Sequence, residues 1–389
     1  MAAALRVLSV FGTRPEAIKL APVIAELRRR PGVVSRVCVT AQHRQMLDQV
    51  LSLFQISPDS DLDLMEANQT PSQVAASALL GLESVLAGER PDWVLVQGDT
   101  TTAAAAALAA FYARARVGHV EAGLRSHDKW RPFPEEINRR VAGVIADLHF
   151  APTERARANL LREGVSEDQV VVTGNTVIDA LRWVQAQPWA PRSLGDAARA
   201  LEDANARLIL VTAHRRENFG EPIERICEAL QELSARYGDA VRILYPVHPN
   251  PSIREPVHRL LGGIRNVVLT APLDYLALVQ VMKRSYLVLT DSGGIQEEAP
   301  ALGVPVLVLR EVTERPEAVE CGTVRLVGSA KDRIVSEAAR LLDDPREHER
   351  RAQAVNPYGD GHAAERIGRA LAGEVVVPFE PAKSATSPR

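Results

Sequence analysis

The chain has 389 residues, 46% hydrophobic, 24% charged and only 4% aromatic, with a formal net charge of −3. Such a length exceeds what one hydrophobic core normally organises, so two domains are expected. The charge leaves no basic surplus for neutralising phosphates, which excludes a general nucleic-acid binder. No stretch has the length of a membrane span; the apolar run Ala103–Ala110 is far too short. The opening Met1-Ala2-Ala3-Ala4-Leu5-Arg6 lacks a signal-peptide layout, so a cytoplasmic location is expected. Cys38, Cys227 and Cys321 are widely spaced in apolar surroundings and form no CxxC, which argues against a disulfide framework or a zinc site.

Short Val/Leu/Ile runs alternate with longer amphipathic segments. Strands are expected at Arg6–Phe11, Arg36–Thr40, Trp93–Gln97, Val117–Val120, His149–Ala151 and Val170–Thr173, with helices at Glu16–Arg29, Arg44–Phe54, Thr101–Tyr112, Glu135–Ile145 and Thr153–Arg162. The strands lack polar alternation, as expected for a parallel sheet covered on both faces. Near 185–206, Pro188, Pro191 and Gly195 interrupt the rhythm. It restarts with strands Leu208–Thr212, Val241–Pro246, Val267–Leu269, Tyr286–Thr290 and Val306–Leu309. The helices between them are Pro222–Ala235, Ile253–Leu261, Leu276–Lys283 and Gln296–Leu302, and a last amphipathic helix follows at Ala363–Ala372. The pattern predicts two Rossmann-like, doubly wound α/β domains facing a cleft. Their expected extents are 1–180 and 200–360, with a helix at 361–377 returning to the first domain and a frayed tail at 380–389.

Chemistry-bearing residues collect where strands end. Thr290-Asp291-Ser292-Gly293-Gly294 leads from a strand into a helix. Helix-start amides and the macrodipole favour an anion there, and Gly293 and Gly294 admit close backbone approach. Glu298, about one turn on, suits a sugar diol, and phosphate beside diol describes a nucleotide. Phe11-Gly12-Thr13-Arg14-Pro15 opens a helix without a GxGxxG fingerprint, so a nicotinamide cofactor is not expected. Lys19, in the first turns of that helix, opposes the dipole unless it faces an anion. Asp99 follows the strand 93–97 and suits either a helix N-cap or a ligand at the sheet's carboxyl edge. Glu121 ends the next strand with no helix to cap, and Glu135 begins the next helix. Asp99, Glu121 and Glu135 come from consecutive units of one sheet, so all three are candidates for acid and base roles. His214, followed by Arg215-Arg216, ends the first strand of the second domain, and Arg315 follows the strand 306–309.

With these pieces in place, the chain resembles the bacterial non-hydrolysing UDP-N-acetylglucosamine 2-epimerases. The resemblance is carried by GTRPEAIKLAPV (12–23), TAQHRQML (40–47), VQGDTTT (96–102), HVEAGLRS (119–126), PEEINR (134–139), TAHRRENFGE (212–221), YPVHPNP (245–251), TDSGGIQEEAPALGVPVLVLR (290–310) and TERPEAVECGT (313–323). It covers the chain to about residue 375 and implies the glycosyltransferase-B architecture and a homodimer. It also implies reversible conversion of UDP-GlcNAc to UDP-ManNAc with neither cofactor nor metal, by anti elimination of UDP through 2-acetamidoglucal. Asp99, Glu121, Glu135 and His214 match the family's catalytic groups; Arg14, Lys19, Ser292, Gly293, Gly294, Glu298 and Arg315 match its nucleotide site. Gln42, Gln45, Arg215, Glu217 and His248 match positions of a regulatory UDP-GlcNAc site. Asn68, where some members carry Arg, and Leu273 and Leu278, where some carry Gln and Phe, are departures. Three alternatives draw on the same groups: a hydrolysing 2-epimerase releasing UDP and free ManNAc, a retaining glycosyltransferase of this fold, and a silent nucleotide-sugar sensor.

Overall fold

The computed structural model describes residues 4–40, 44–64, 66, 69–201 and 205–382, without the side chains of residues 44 and 45. It divides into two compact units, one built from residues 1–180 with 358–380 and the other centred on Leu181–Pro357.

The first unit runs β1 (Leu5–Phe11), α1 (Arg14–Arg29), β2 (Val33–Val39), α2 (Arg44–Leu53), β3 (Ser60–Asp61), α3 (Pro71–Glu89), β4 (Trp93–Gln97), α4 (Thr101–Tyr112), β5 (Arg116–Val120), α5 (Glu135–Ile145), β6 (Leu148–Ala151), α6 (Glu154–Arg162) and β7 (Val170–Val172). Its strands form one sheet in the order β3-β2-β1-β4-β5-β6-β7, every pair parallel. Strand β4 is buried along its whole length, as its apolar composition dictates for a sheet covered on both faces. The helix α3 has no counterpart among the expected elements. It is capped by Thr70, whose side chain accepts the Gln73 backbone amide while the Gln73 side-chain oxygen accepts the Thr70 backbone amide. Its apolar residues are spread round the helix rather than confined to one stripe, which hides the helical period.

The helix α7 (Thr176–Gln185) leads out of this unit. The second unit contains β8 (Arg207–Thr212), α8 (Glu221–Tyr237), β9 (Val241–Pro246), α9 (Pro251–Leu261), β10 (Val267–Thr270), α10 (Tyr275–Arg284), β11 (Leu287–Thr290), α11 (Ile295–Ala301), β12 (Val306–Val308), α12 (Pro316–Glu320), β13 (Val324–Leu326), α13 (Lys331–Asp343) and α14 (Pro345–Ala352). Its all-parallel sheet is ordered β10-β9-β8-β11-β12-β13. Ile209, Val211, Ile243, Leu287 and Leu289 of the strands meet Ile226, Leu230 and Leu233 of α8 and Ile334 and Ala338 of α13 in one core. Strand β13 and helices α7, α12, α13 and α14 likewise have no counterpart among the expected elements.

The chain then returns to the first unit as α15 (Ala363–Leu371), which packs on α1. Asp179 of α7 accepts the first amides of α15, Ala364 N at 2.9 Å and Ala363 N at 3.3 Å. The Asn175 amide donates to the Tyr358 carbonyl at 2.6 Å, so the return segment is stitched to the loop after β7. Cys38 and Cys227 are buried, whereas Cys321 is exposed, which corrects the apolar surroundings expected for it. Among the described residues, no helix is long and apolar enough to cross a membrane, and no cluster of His, Cys, Asp and Glu is arranged to hold a metal.

In each sheet the strand order reverses once, between β1 and β4 in the first and between β8 and β11 in the second. Ligands of open α/β sheets bind at such points, beyond the carboxyl ends of the strands.

Candidate active-site clusters

In the first unit the reversal point brings together the loop after β1 and the loop after β4. Glu16 ties them: its carboxylate accepts the amides of Gly12 (3.0 Å) and Thr13 (2.7 Å) and the Thr100 hydroxyl (2.5 Å). Burial pushes the Glu16 pKa up, and these bonds partly offset it. The N-cap of α4 is Thr100, whose Oγ1 accepts the Ala103 amide at 2.9 Å. The capping role that Asp99 also suited is therefore filled by its neighbour, and Asp99 pairs instead with Nη2 of Arg139 on α5.

Arg139 joins two of the expected carboxylates. Its Nη1 donates to the Glu121 carbonyl at 2.6 Å, and its Nη2 lies 3.7 Å from Glu121 Oε1. Glu121 follows β5 with φ of 62°, in the left-handed region that non-glycine residues seldom occupy. Such a conformation costs about 1–3 kcal/mol and is concentrated at functional sites. The side chain is nearly inaccessible and is held by Asn175 Nδ2 at 2.9 Å and by an ion pair with Lys19. A buried carboxylate needs such partners. The anion that Lys19 faces in the structure is thus Glu121.

Glu135 is the first residue of α5, half-buried and four positions before Arg139, hence on the same helix face. Its neighbour Glu136 anchors the loop from β5, accepting Ser126 N at 2.9 Å and Arg140 Nε at 3.0 Å. Arg14 opens α1 and is half-buried. Beneath the carboxylates, His119 Nε2 meets the Gly98 carbonyl at 2.7 Å, so that nitrogen carries the hydrogen. Burial lowers the His119 pKa to about 3, against the opposing pull of the Gly98 bond, and lowers that of its cross-strand partner His149 to about 4.

The second cluster lies at the reversal point of the other sheet, where Thr212 of β8 and Thr290 of β11 are paired and their hydroxyls are 2.6 Å apart. Asp291, fully buried, accepts the amides of His214 (2.7 Å) and Arg215 (2.8 Å) and Asn218 Nδ2 (2.9 Å). The His214 ring stacks on His248 with centroids 5.7 Å apart. Burial lowers the His214 pKa, while Asp291 pulls the other way.

Arg315 is buried across the Gly293 turn. Its Nε donates to Glu297 Oε1 at 2.5 Å and its Nη1 to Glu314 Oε1 at 2.6 Å. A Cβ on Gly293 would come within 2.6 Å of Arg315 Nη1, so only glycine fits the turn with the guanidinium in place. Glu314 is buried, which raises its pKa, yet Arg315 and Arg310 outweigh this and hold it at about 2. Glu298 accepts the Tyr275 hydroxyl at 2.6 Å, and Ser292 N donates to Thr290 Oγ1 at 2.9 Å.

The sequence model of the UDP-N-acetylglucosamine 2-epimerases matches residues 25–372. The chain belongs to the UDP-N-acetylglucosamine 2-epimerase family. It is 54% identical over 370 residues to the UDP-N-acetylglucosamine 2-epimerase of Escherichia coli K12, covering 94% of this chain and 98% of that one. The crystal structure of the Neisseria meningitidis UDP-GlcNAc 2-epimerase bound to UDP-GlcNAc matches with a TM-score of 0.87 at 48% identity, covering 95% of this chain and all (100%) of that one. The Methanocaldococcus jannaschii enzyme, solved in complex with UDP-GlcNAc and UDP, matches with a TM-score of 0.78 at 34% identity, covering 95% and 100%. The two parallel-sheet α/β domains expected from the sequence are thus the fold of this family, the glycosyltransferase-B type.

Of the regulatory positions suggested by likeness to this epimerase family, Arg215, Glu217 and His248 are exposed around His214. Arg310 links Glu217, at 2.5 Å, to Glu314, at 2.9 Å. Gln42, the Gln45 side chain and Asn68 lie outside the described residues, as does the tail from 383. Arg139 and Asn175 are not among the site residues expected from the sequence, and Asp291, though inside the 290–294 stretch, has no expected role of its own. Arg139 had a signal, its spacing of four from Glu135, and Asn175 stands just beyond a strand end.

Proposed function

We propose that this protein interconverts UDP-N-acetylglucosamine and UDP-N-acetylmannosamine without hydrolysis, by anti elimination and re-addition of UDP. In the first half-reaction a base takes the C2 proton. The C2–H electron pair becomes the C1=C2 bond of 2-acetamidoglucal, and the C1–O pair departs with UDP. In the second half, C2 is reprotonated on its other face and UDP re-adds at C1. The sequence is redox-neutral, so it calls for no electron carrier.

The C2 hydrogen is barely acidic, so the base and the leaving-group stabilisation must act together. Asp99, Glu121 and Glu135 are the proton-transfer candidates, with His214 as a further catalytic group. Arg14, Lys19, Ser292, Gly293, Gly294, Glu298 and Arg315 form the nucleotide site in this reading. What carries it is the convergence of Asp99, beyond β4, and Glu121, beyond β5, on one guanidinium. Two carboxylates sharing one cation differ in environment, the basis for dividing acid from base work. Glu121 is the more enclosed, with a side-chain exposure of 4% against 29% for Asp99.

A homodimer belongs to the same proposal. Ile137, Val141 and Val144 form an exposed apolar stripe on α5, and α4, which packs on α5, exposes Phe111 and Tyr112 at its end. Exposed stripes of this kind mark protein contacts. Regulation by a second UDP-GlcNAc near Arg215, Glu217 and His248, a cytoplasmic location, and supply of ManNAc units to surface polysaccharide complete the reading. The test is to supply UDP-GlcNAc alone and follow products by NMR. UDP-ManNAc is expected. UDP with free ManNAc would assign the hydrolysing branch, and no turnover would leave a transferase or a sensor.

A further inference from the structure

We propose that Asp291 is a positioning residue that fixes His214 as the Nδ1–H tautomer, so that Nε2 is the nitrogen presented to the nucleotide sugar. The proposal rests on the reading of His214 as a working group of the reaction and names the residue through which its chemistry is set.

The two oxygens of Asp291 have different surroundings. Oδ2 is saturated by two backbone amides and the Asn218 side chain, at 2.7, 2.8 and 2.9 Å. Those bonds fold the His214–Asn218 loop around the carboxylate. Oδ1 is equally buried but accepts no hydrogen bond from any described donor. The polar atom facing it is His214 Nδ1, 3.3 Å away. A buried carboxylate oxygen without a donor is costly, and an imidazole N–H at Nδ1 relieves that cost. The opposite tautomer would set a nitrogen lone pair against the carboxylate.

The framework holds the pair in place. Asp291 and His214 sit just past Thr290 and Thr212, which are in register on adjacent strands. On its other side the imidazole is stacked on His248 at an interplanar angle of 15°, and the His248 ring is itself oriented by the Asn250 amide donating to Nδ1 at 3.1 Å. The charged and titratable groups around His214 are therefore Asp291, Arg215 and His248. An imidazole held this way takes its second proton at Nε2 alone. The resulting cation keeps Asp291 as its counter-charge while donating from Nε2, as buried aspartates do for catalytic histidines elsewhere.

Nitrogen-edited NMR of the full-length, histidine-labelled protein reads the tautomer without turnover, with His214→Gln used to assign the signal. At a pH above its titration, His214 should show a protonated Nδ1 and a bare Nε2. In Asp291→Asn the side-chain amide faces Nδ1 as a donor, so the pattern should invert. That variant should also lose on the order of 10²-fold in kcat, with KM changed far less. A bare Nδ1 in the wild-type protein, or a rapidly averaging pair, overturns the proposal even if Asp291→Asn fails to fold. If the tautomer is as expected but UDP-GlcNAc is not turned over, the fault lies with the functional reading and not with Asp291.

Discussion

The Lys19–Glu121 pair offers a quantitative test of the first cluster. Glu121 and Lys19 have side-chain exposures of 4% and 12%, so water does little to screen them. Removing one partner of a buried ion pair costs about 3–5 kcal/mol, because the other charge is stranded. Glu121 retains Asn175 and the Arg139 guanidinium, which places Lys19→Met at the lower end, about 3 kcal/mol. Glu121→Gln strands Lys19 and weakens the hold on Arg139, for a similar loss of about 3 kcal/mol. In the double variant neither charge of the pair is stranded, and the total should fall short of the sum by about 2 kcal/mol. A two-domain chain does not melt as one unit, so the assay should be amide exchange read at α1 and β5. A loss of about 3 kcal/mol appears there as a roughly hundredfold faster exchange. Additivity within about 0.5 kcal/mol would refute the reasoning, because it would mean that the two side chains do not share a buried charge balance.

His119 and His149 remain neutral in the fold, with pKa values of about 3 and 4 against 6.5 unperturbed. The unfolded chain gains protons first as pH falls below 6.5, so stability drops by ~1.4 kcal/mol per pH unit for each histidine until the folded values are approached. Near pH 5 the two together account for about 4 kcal/mol; His149→Gln should remove about half of that dependence in amide exchange read at β5 and β6, and an unchanged slope would contradict it. Asp99→Asn, Glu121→Gln and Glu135→Gln should each lower kcat by about 10²–10⁴-fold while circular dichroism stays native, and near-normal rates in all three would remove the carboxylates from the chemistry. Gly293→Ala places a Cβ 2.6 Å from Arg315 Nη1 and should weaken UDP binding by about tenfold in calorimetry. Unaltered affinity would detach that turn from the nucleotide.

The strands that build both sheets were legible because their residues are continuously apolar, and Asp99, Glu121 and His214 because each stands just past a strand end. Helix α3 was not, since its apolar residues are spread round the helix; its local signals are the Thr70–Gln73 capping box and Pro71 at its start. Helix α13 does carry an amphipathic spacing, with Ile334, Ala338 and Leu341 buried on one face, but it follows a short strand whose Arg325 is exposed and breaks the apolar pattern. The partners of the site residues were illegible for a different reason. Arg139 reaches Asp99 across 40 residues, Asn175 reaches Glu121 across 54, and Asp291 reaches the His214 amide across 77. Only the folded sheet order makes those residues neighbours.

Hydrogen exchange at the sugar carbon tests the proposed chemistry most directly. In deuterium oxide, unlabelled UDP-GlcNAc should give UDP-ManNAc bearing deuterium at C2, and the recovered UDP-GlcNAc should acquire the label as the reaction reverses. Epimerised product that keeps its original C2 hydrogen would contradict removal of that proton by a solvent-exchanging carboxylate.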